Sequence, residues 1–202
     1  MTQVAPNTGL AEPVHDAQAV FRAVLHAMSR PGDVVDLSVS PDAPAPLNAA
    51  AAAICLSLLD FETPLWIGGG DGDLSTAAGY LAFHTGAPCA ADSARADFAL
   101  IIDGTALPPL DAFCKGTDEL PECSATVIVQ VADIVAAEPG AGAWVLTGPG
   151  IDGSAGLTVT GLRDDLPVDL ARNAGRFPRG VDLIFCAGAR LAALPRTTRV
   201  EA

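Results

Sequence analysis

Lysine is almost missing from this chain: Lys115 is the only one among 202 residues. That scarcity excludes whole classes of chemistry. A phosphate loop of the form G-x-x-x-x-G-K-S/T needs a lysine followed by a hydroxyl, and Lys115 is followed by Gly116. A Schiff-base enzyme would have to use this one residue, which sits in an acidic loop with no apolar wall to lower its pKa. Histidine is also sparse: His15, His26 and His84 form no H-E-x-x-H or other local metal pattern. The five cysteines, Cys55, Cys89, Cys114, Cys123 and Cys186, contain no C-x-x-C pair. Their odd number and scatter fit neither a disulfide framework nor a zinc site. Ser154 lies in Asp152-Gly153-Ser154-Ala155-Gly156, which misses the G-x-S-x-G nucleophile elbow because Asp152 replaces the first glycine. No catalytic residue, no cofactor-binding residue and no metal ligand is therefore expected in this chain.

Long apolar runs are missing as well. Half of the residues are hydrophobic, yet none of the runs reaches the roughly 18 uninterrupted positions of a membrane span. Met1 to Leu10 carries no Lys or Arg and no apolar core of signal-peptide length, so a cytoplasmic protein is expected. Positive charge is scarce: 24 acidic against 11 basic residues leave a net charge of -13, which disfavours nucleic acid and anionic membranes as partners. The basic groups that do cluster are the ones of interest.

The size suits one α/β domain, expected over residues 14–202 after an N-terminal extension, 1–13. Val14, Ala17, Phe21, Val24, Leu25 and Met28 recur at helical spacing and predict a helix with that apolar stripe facing inward, Asp16 as a candidate N-cap, and Arg30-Pro31-Gly32 as its end. His15, Arg22, His26 and Arg30 share the opposite side, within about 80° of one another, as a basic ridge. Val34 to Val39 reads as a short strand. Asn48 is placed to cap a buried helix, Ala49 to Leu59, and Leu65-Trp66-Ile67 reads as a covered strand. The glycine loop Gly68 to Asp73 resembles a phosphate cradle only in setting, since Asp71 and Asp73 would repel an anion. Asp71 and Asp73 are also too few for a convincing metal site. A helix over Leu74 to His84 follows, closed by Gly86, with His84 beside the negative end of the helix dipole.

Strands are expected at Asp97 to Ile102, Thr126 to Val131, Ala143 to Leu146 as the antiparallel neighbour of that strand, and Gly156 to Gly161, with a last helix over Leu166 to Gly175. Leu183 to Ala187 is a short unbroken apolar run, expected to be covered on both faces, and Gly188-Ala189 is a turn into a second arm, Arg190 to Leu194. Beyond Pro195, Arg196, Thr197, Thr198 and Arg199 set two guanidinium groups around two hydroxyls, a grouping able to hold a phosphate or a carboxylate. A solvated chain end is the plainer alternative. Intermingled helices and hairpins predict an α/β fold, a mixed β-sheet flanked by helices in a three-layer α/β/α arrangement.

Val14-His15-Asp16-Ala17-Gln18, Ala27-Met28-Ser29-Arg30-Pro31-Gly32, Pro46-Leu47-Asn48-Ala49, Thr63-Pro64-Leu65-Trp66, Phe83-His84-Thr85-Gly86-Ala87-Pro88, Gln130-Val131, Leu146-Thr147-Gly148-Pro149-Gly150-Ile151, Phe177-Pro178-Arg179-Gly180-Val181-Asp182 and Pro195-Arg196-Thr197-Thr198-Arg199 follow in one order. Together, over about residues 14–201, they resemble the PhnH subunit family of the bacterial carbon-phosphorus lyase system. The resemblance implies a fold similar to the large domain of pyridoxal-phosphate-dependent transferases without the cofactor's residues. It implies a cytosolic subunit that, with PhnG, PhnI and PhnL, contributes to making α-D-ribose 1-methylphosphonate 5-triphosphate from MgATP and methylphosphonate. It further implies docking among PhnG, PhnI and PhnJ, and a homodimer when isolated; it carries no catalytic residue. Two readings follow: an interaction subunit that binds no small substrate alone, or a subunit with its own phosphate or nucleotide pocket. The second would use Arg196, Thr197, Thr198 and Arg199, with Arg22, His26, Arg30 or His84.

Overall fold

Leu183 to Ala187 belongs to the strand around which the rest is built. The computed structural model describes residues 8–70, 73–140 and 142–201. Among these residues, ten strands form two sheets. The larger contains β1 (Val35–Asp36), β2 (Leu65–Gly68), β3 (Phe98–Ile101), β4 (Thr126–Gln130), β8 (Asp182–Ala187) and β9 (Arg190–Leu194), in the order β1-β9-β8-β4-β3-β2. β2, β3, β4 and β8 are mutually parallel, with Val127 opposite Leu183, while β9 returns antiparallel from β8 through Gly188-Ala189. The smaller sheet, all antiparallel, has the order β10-β6-β7-β5, from β5 (Asp133–Ala137), β6 (Trp144–Thr147), β7 (Ala155–Thr160) and β10 (Arg199–Glu201).

The large sheet is covered on both faces, and strand alternation assigns the side chains. Leu100, Ile128, Ile184, Leu191 and Ala193 meet α1 (Pro13–Ser29), α2 (Ala49–Leu58) and α3 (Ser75–Thr85). Ala99, Ile101, Val127, Val129, Leu183 and Phe185 meet Ile134, Leu146 and Leu157 of the small sheet, and Leu166 and Leu170 of α4 (Leu166–Ala174). The protein is thus α/β with a mixed sheet and four helices among the described residues. Its second covering layer is a β-sheet with one helix, where helices alone were expected.

Several local expectations need correction. Trp144–Thr147 does not pair with Thr126–Gln130, because both edges of β4 are taken by parallel β3 and β8; β6 lies between β10 and β7 in the other sheet. Asp16 is not the N-cap of α1: Glu12 holds that position, and the Asp16 carboxylate reaches back to accept from the Glu12 amide at 2.9 Å. The buried side of α1 is Val20, Val24 and Ala27, whereas Val14, Phe21 and Leu25 face solvent. The strand expected at Val34 to Val39 shrinks to two residues pairing with β9. Arg199–Glu201, for which a solvated chain end was the plainer alternative, is a strand paired with β6. Asn48 does cap α2, accepting from Ala51 N–H at 2.8 Å. Gly86 closes α3 in the left-handed conformation, φ 73°. Of the glycine loop, Asp71 and Gly72 lie outside the described residues.

Candidate functional site

Three of the motif segments meet at one end of the small sheet. Gly150 has φ 84°, and a Cβ there would drive into the Ser29 carbonyl at the end of α1. Gly148, φ 138°, lies against the Thr197 carbonyl, so glycine is required at both close approaches. Arg30, Asp33, Ile151, Asp152 and Ser154 border a cleft of about 190 Å³ at this junction. A wider hollow of about 470 Å³ lies beside Met28, Phe177, Pro178, Pro195, Arg196 and Thr197.

The Arg/Thr cluster does not converge on that hollow as a phosphate grip. The Arg196 guanidinium is turned onto Asp182, with Nη2 at 2.5 Å from Oδ2 and Nε at 3.2 Å from Oδ1, while Nη1 donates to the Pro121 carbonyl at 2.6 Å. The side chains of Arg196 and Asp182 are each 15% exposed, so this pair holds the end of β9 to the start of β8. Thr198 is buried and its Oγ1 has no partner; Arg199 is exposed on β10; Thr197 alone lines the hollow with Arg196. Arg22 and His26 are exposed on α1, and His26 Nε2 sits 2.9 Å from Asp33 Oδ2. His84 lies against the Tyr80 and Phe83 rings in a small cleft with Gly9, Leu10 and Pro13. Pro13 opens the 17-residue α1 and Arg30 is its C-cap, so the cleft holding His84 adjoins one end of a helix about 25 Å long and Arg30 stands at the other.

At the carboxyl edge of the parallel strands, where open α/β sheets commonly bind ligands, a polar plug fills the space. Gln130 Oε1 accepts from Asn48 N–H at 2.6 Å, and its Nε2 donates to the Pro46 and Ile102 carbonyls at 2.9 and 3.1 Å. Asn48 Nδ2 donates to the Cys186 carbonyl at 3.0 Å. Two of the motifs, around Asn48 and Gln130, are thereby accounted for structurally. Lys115 lies at the other edge: it pairs with Ser124 ahead of β4, and its carbonyl accepts from Gly180 N–H ahead of β8.

Around Lys115 the structure gathers cations that sequence spacing kept apart. Lys115, Arg176 and Arg179 line a cleft of about 290 Å³ with Asp111 and Phe113. Asp111 Oδ1 is 2.5 Å from Arg176 Nη1 and 3.5 Å from Lys115 Nζ, and Arg179 Nε is 3.1 Å from Asp118. The Arg176 bond, with the fields of Arg176 and Lys115, holds the Asp111 carboxyl below its ordinary value. The one available signal was the pair of arginines bracketing Phe177-Pro178; what joins them to Lys115 is the pairing of two distant loops. Among the described residues, no group of three or more His, Cys, Asp or Glu is placed to hold a metal ion. No described helix is long and apolar enough to cross a membrane.

The second surface feature is apolar. Val14, Phe21 and Leu25, spaced by seven and four, are 80%, 52% and 56% exposed along one side of α1, and Phe177 is 64% exposed beside the hollow that Met28 borders.

Comparison with known proteins places these features in a family. A family model described as bacterial phosphonate metabolism protein PhnH matches residues 8–201. The chain is 38% identical over 192 residues to alpha-D-ribose 1-methylphosphonate 5-triphosphate synthase subunit PhnH of Rhizobium meliloti strain 1021, covering 95% of this chain and 93% of that protein. It is 32% identical over 189 residues to HtxG of Stutzerimonas stutzeri, named for a proposed C-P lyase subunit, covering 91% of this chain and 85% of that one. With the match running from the described N-terminus through β10, this chain belongs to the PhnH family of bacterial phosphonate metabolism proteins.

Proposed function

We propose that the chain is a docking subunit of a phosphonate-degrading complex, contributing to synthesis of α-D-ribose 1-methylphosphonate 5-triphosphate without a catalytic centre of its own. The observation that carries the reading is the apolar stripe on α1. Three large side chains, more than half exposed on one helix side, cost solubility unless something covers them. In this reading PhnG, PhnI and PhnJ are the docking partners, PhnL acts with them, the isolated chain is a homodimer, and the setting is cytoplasmic. The chain works without a cofactor. Its sheet is a relative of the pyridoxal-phosphate transferase large domain in which the sole lysine lies at the amino edge, away from the carboxyl edge that the Gln130 plug fills.

The test is co-purification from cells expressing the partner subunits. Phe21→Asp and Leu25→Asp should each weaken association by about 30-fold or more, as expected for an anchor residue, with unchanged circular dichroism. Arg22→Ala and Arg30→Ala separate the basic ridge from the apolar stripe: if they abolish association and the aspartates do not, the reading is wrong. The competing assignment of a phosphate grip to Arg196 through Arg199 is disfavoured by the inward pairing of Arg196 with Asp182.

A further inference from the structure

Of the arginines considered above, exposure separates those that hold the fold from those free to exchange partners. Arg196 spends its donors on Asp182 and Pro121 in a pair that is mostly shielded from water. Arg176 and Arg179 instead meet carboxylates that are themselves open: the Asp111 side chain is 54% exposed and that of Asp118 is 70% exposed. Exposed pairs of this kind are weak and readily replaced. They are also outnumbered, because Asp111 is shared by Lys115 and Arg176 while Asp118 serves Arg179 alone, leaving three cations to two carboxylates.

The cleft is nevertheless firmly built. Asn173, buried on α4, clamps Val181 from both sides, accepting from its N–H at 2.9 Å and donating to its carbonyl at 2.8 Å. That clamp closes the loop carrying Arg176 and Arg179, and the Gly180 amide donates to the Lys115 carbonyl at 3.0 Å, joining the loop to the segment carrying the lysine. Gly180 has φ 134°, and a Cβ there would press on Asn173 Oδ1 at 2.9 Å, so the junction tolerates little at that position. Phe113, buried, and Ala94 supply an apolar side to the same cleft. The Cys114 thiol is directed away from chemistry, donating to the Cys123 carbonyl at 3.1 Å.

We propose that the cleft of Lys115, Arg176 and Arg179 is a binding site for a small dianion ending in a –PO₃ group, an alkylphosphonate or a phosphate ester. Two forked guanidinium groups and one ammonium offer donors in three directions, matching three equivalent oxygens better than the two of a carboxylate. With Asp111 displaced, a dianion balances the two charges left on Lys115 and Arg176. At about 290 Å³ the space takes the phosphoryl end and a short substituent, not a whole nucleotide. Asp111 occupies the cations when the site is empty and swings into solvent when the ligand enters. The step is binding only, with no covalent change.

This goes beyond the docking reading and stands apart from it, because the apolar stripe of α1 contributes none of the cleft residues. Titration of the purified full chain by calorimetry, with ³¹P line broadening as a second readout, would use methylphosphonate, inorganic phosphate and tripolyphosphate as separate probes. Saturable binding of at least one is expected, weakened about tenfold or more in Arg176→Ala and in Arg179→Ala, and partly retained in Arg176→Lys. Strongest binding of methylphosphonate assigns the cleft to the phosphonate, and strongest binding of tripolyphosphate to a phosphorylated chain. Phe21→Asp, which tests docking, should titrate as the unaltered protein does. Thermal melts of each variant report folding. No saturation by any probe below about 10 mM, or affinity unchanged in folded Arg176→Ala/Arg179→Ala, overturns the proposal.

Discussion

At the scale of single residues, the distinction that matters is between arginines spent on the fold and arginines left near solvent. Arg196 and Asp182 bury most of their charge together, and Asp182 also accepts from the Arg196 backbone amide at 2.7 Å. Removing one partner of such a pair strands the other charge. Arg196→Ala should therefore cost about 3 kcal/mol in urea unfolding, with little effect on anion titration of the protein that remains folded. Unchanged stability with abolished anion binding would return Arg196 to the role its sequence context suggests. Thr198 makes the same point more quietly: a hydroxyl that looked like a ligand is buried, its Oγ1 without a partner. The fate of Arg196 is not readable from Pro195-Arg196-Thr197-Thr198-Arg199, because the groups that decide it, the Asp182 carboxylate and the Pro121 backbone carbonyl, are 14 and 75 positions away.

At the scale of elements, close backbone approaches explain several motif segments as architecture. The turn Gly148-Pro149-Gly150-Ile151 presses on the end of α1 through Gly150 and on the Thr197 segment through Gly148. Gly150→Ala must accept both a left-handed φ and contact with the Ser29 carbonyl. A loss of about 3 kcal/mol is expected in chemical denaturation, against about 1 kcal/mol for Gly153→Ala, which bears the same left-handed φ but whose added Cβ meets nothing. Equal effects at the two glycines would mean that the φ alone, not the junction, sets the cost. Helix α1 shows where periodicity misleads. Its spacing correctly predicts the helix, but the two candidate faces are both apolar, Val20-Val24-Ala27 and Val14-Phe21-Leu25, and only packing on α2 and β9 selects the first. β5 was missed because Asp133-Ile134-Val135-Ala136-Ala137 buries only Ile134 fully, so no alternation marks it.

For the whole molecule, the two covering layers make a prediction about thiols. Cys55 on α2 and Cys186 on β8 are buried where the helical layer meets the large sheet; burial pushes the Cys55 thiol up to about 12. Burial, and then the field of Cys55, raises Cys186 too. A thiol raised in the folded state contributes its stability below the ordinary value of 9.0 and loses it between there and about 12, so stability should decline as pH rises through that window. At pH 8, an aromatic disulfide reagent should label exposed Cys89 and Cys123 at once and reach Cys55 and Cys186 only at the rate of unfolding. Immediate labelling of all four would mean that α2 does not seal this face. The sequence alone determined most of the element types, the capping of α2, the buried strand β8 with its hairpin, and the family, because these depend on local spacing and turn chemistry. Tertiary structure decided which sheet each strand joins, which side of α1 is left bare, and which cations share a cleft. Those outcomes depend on contacts between residues far apart in the chain, as when Gly180 meets Lys115 and leaves Arg176 and Arg179 beside the only lysine.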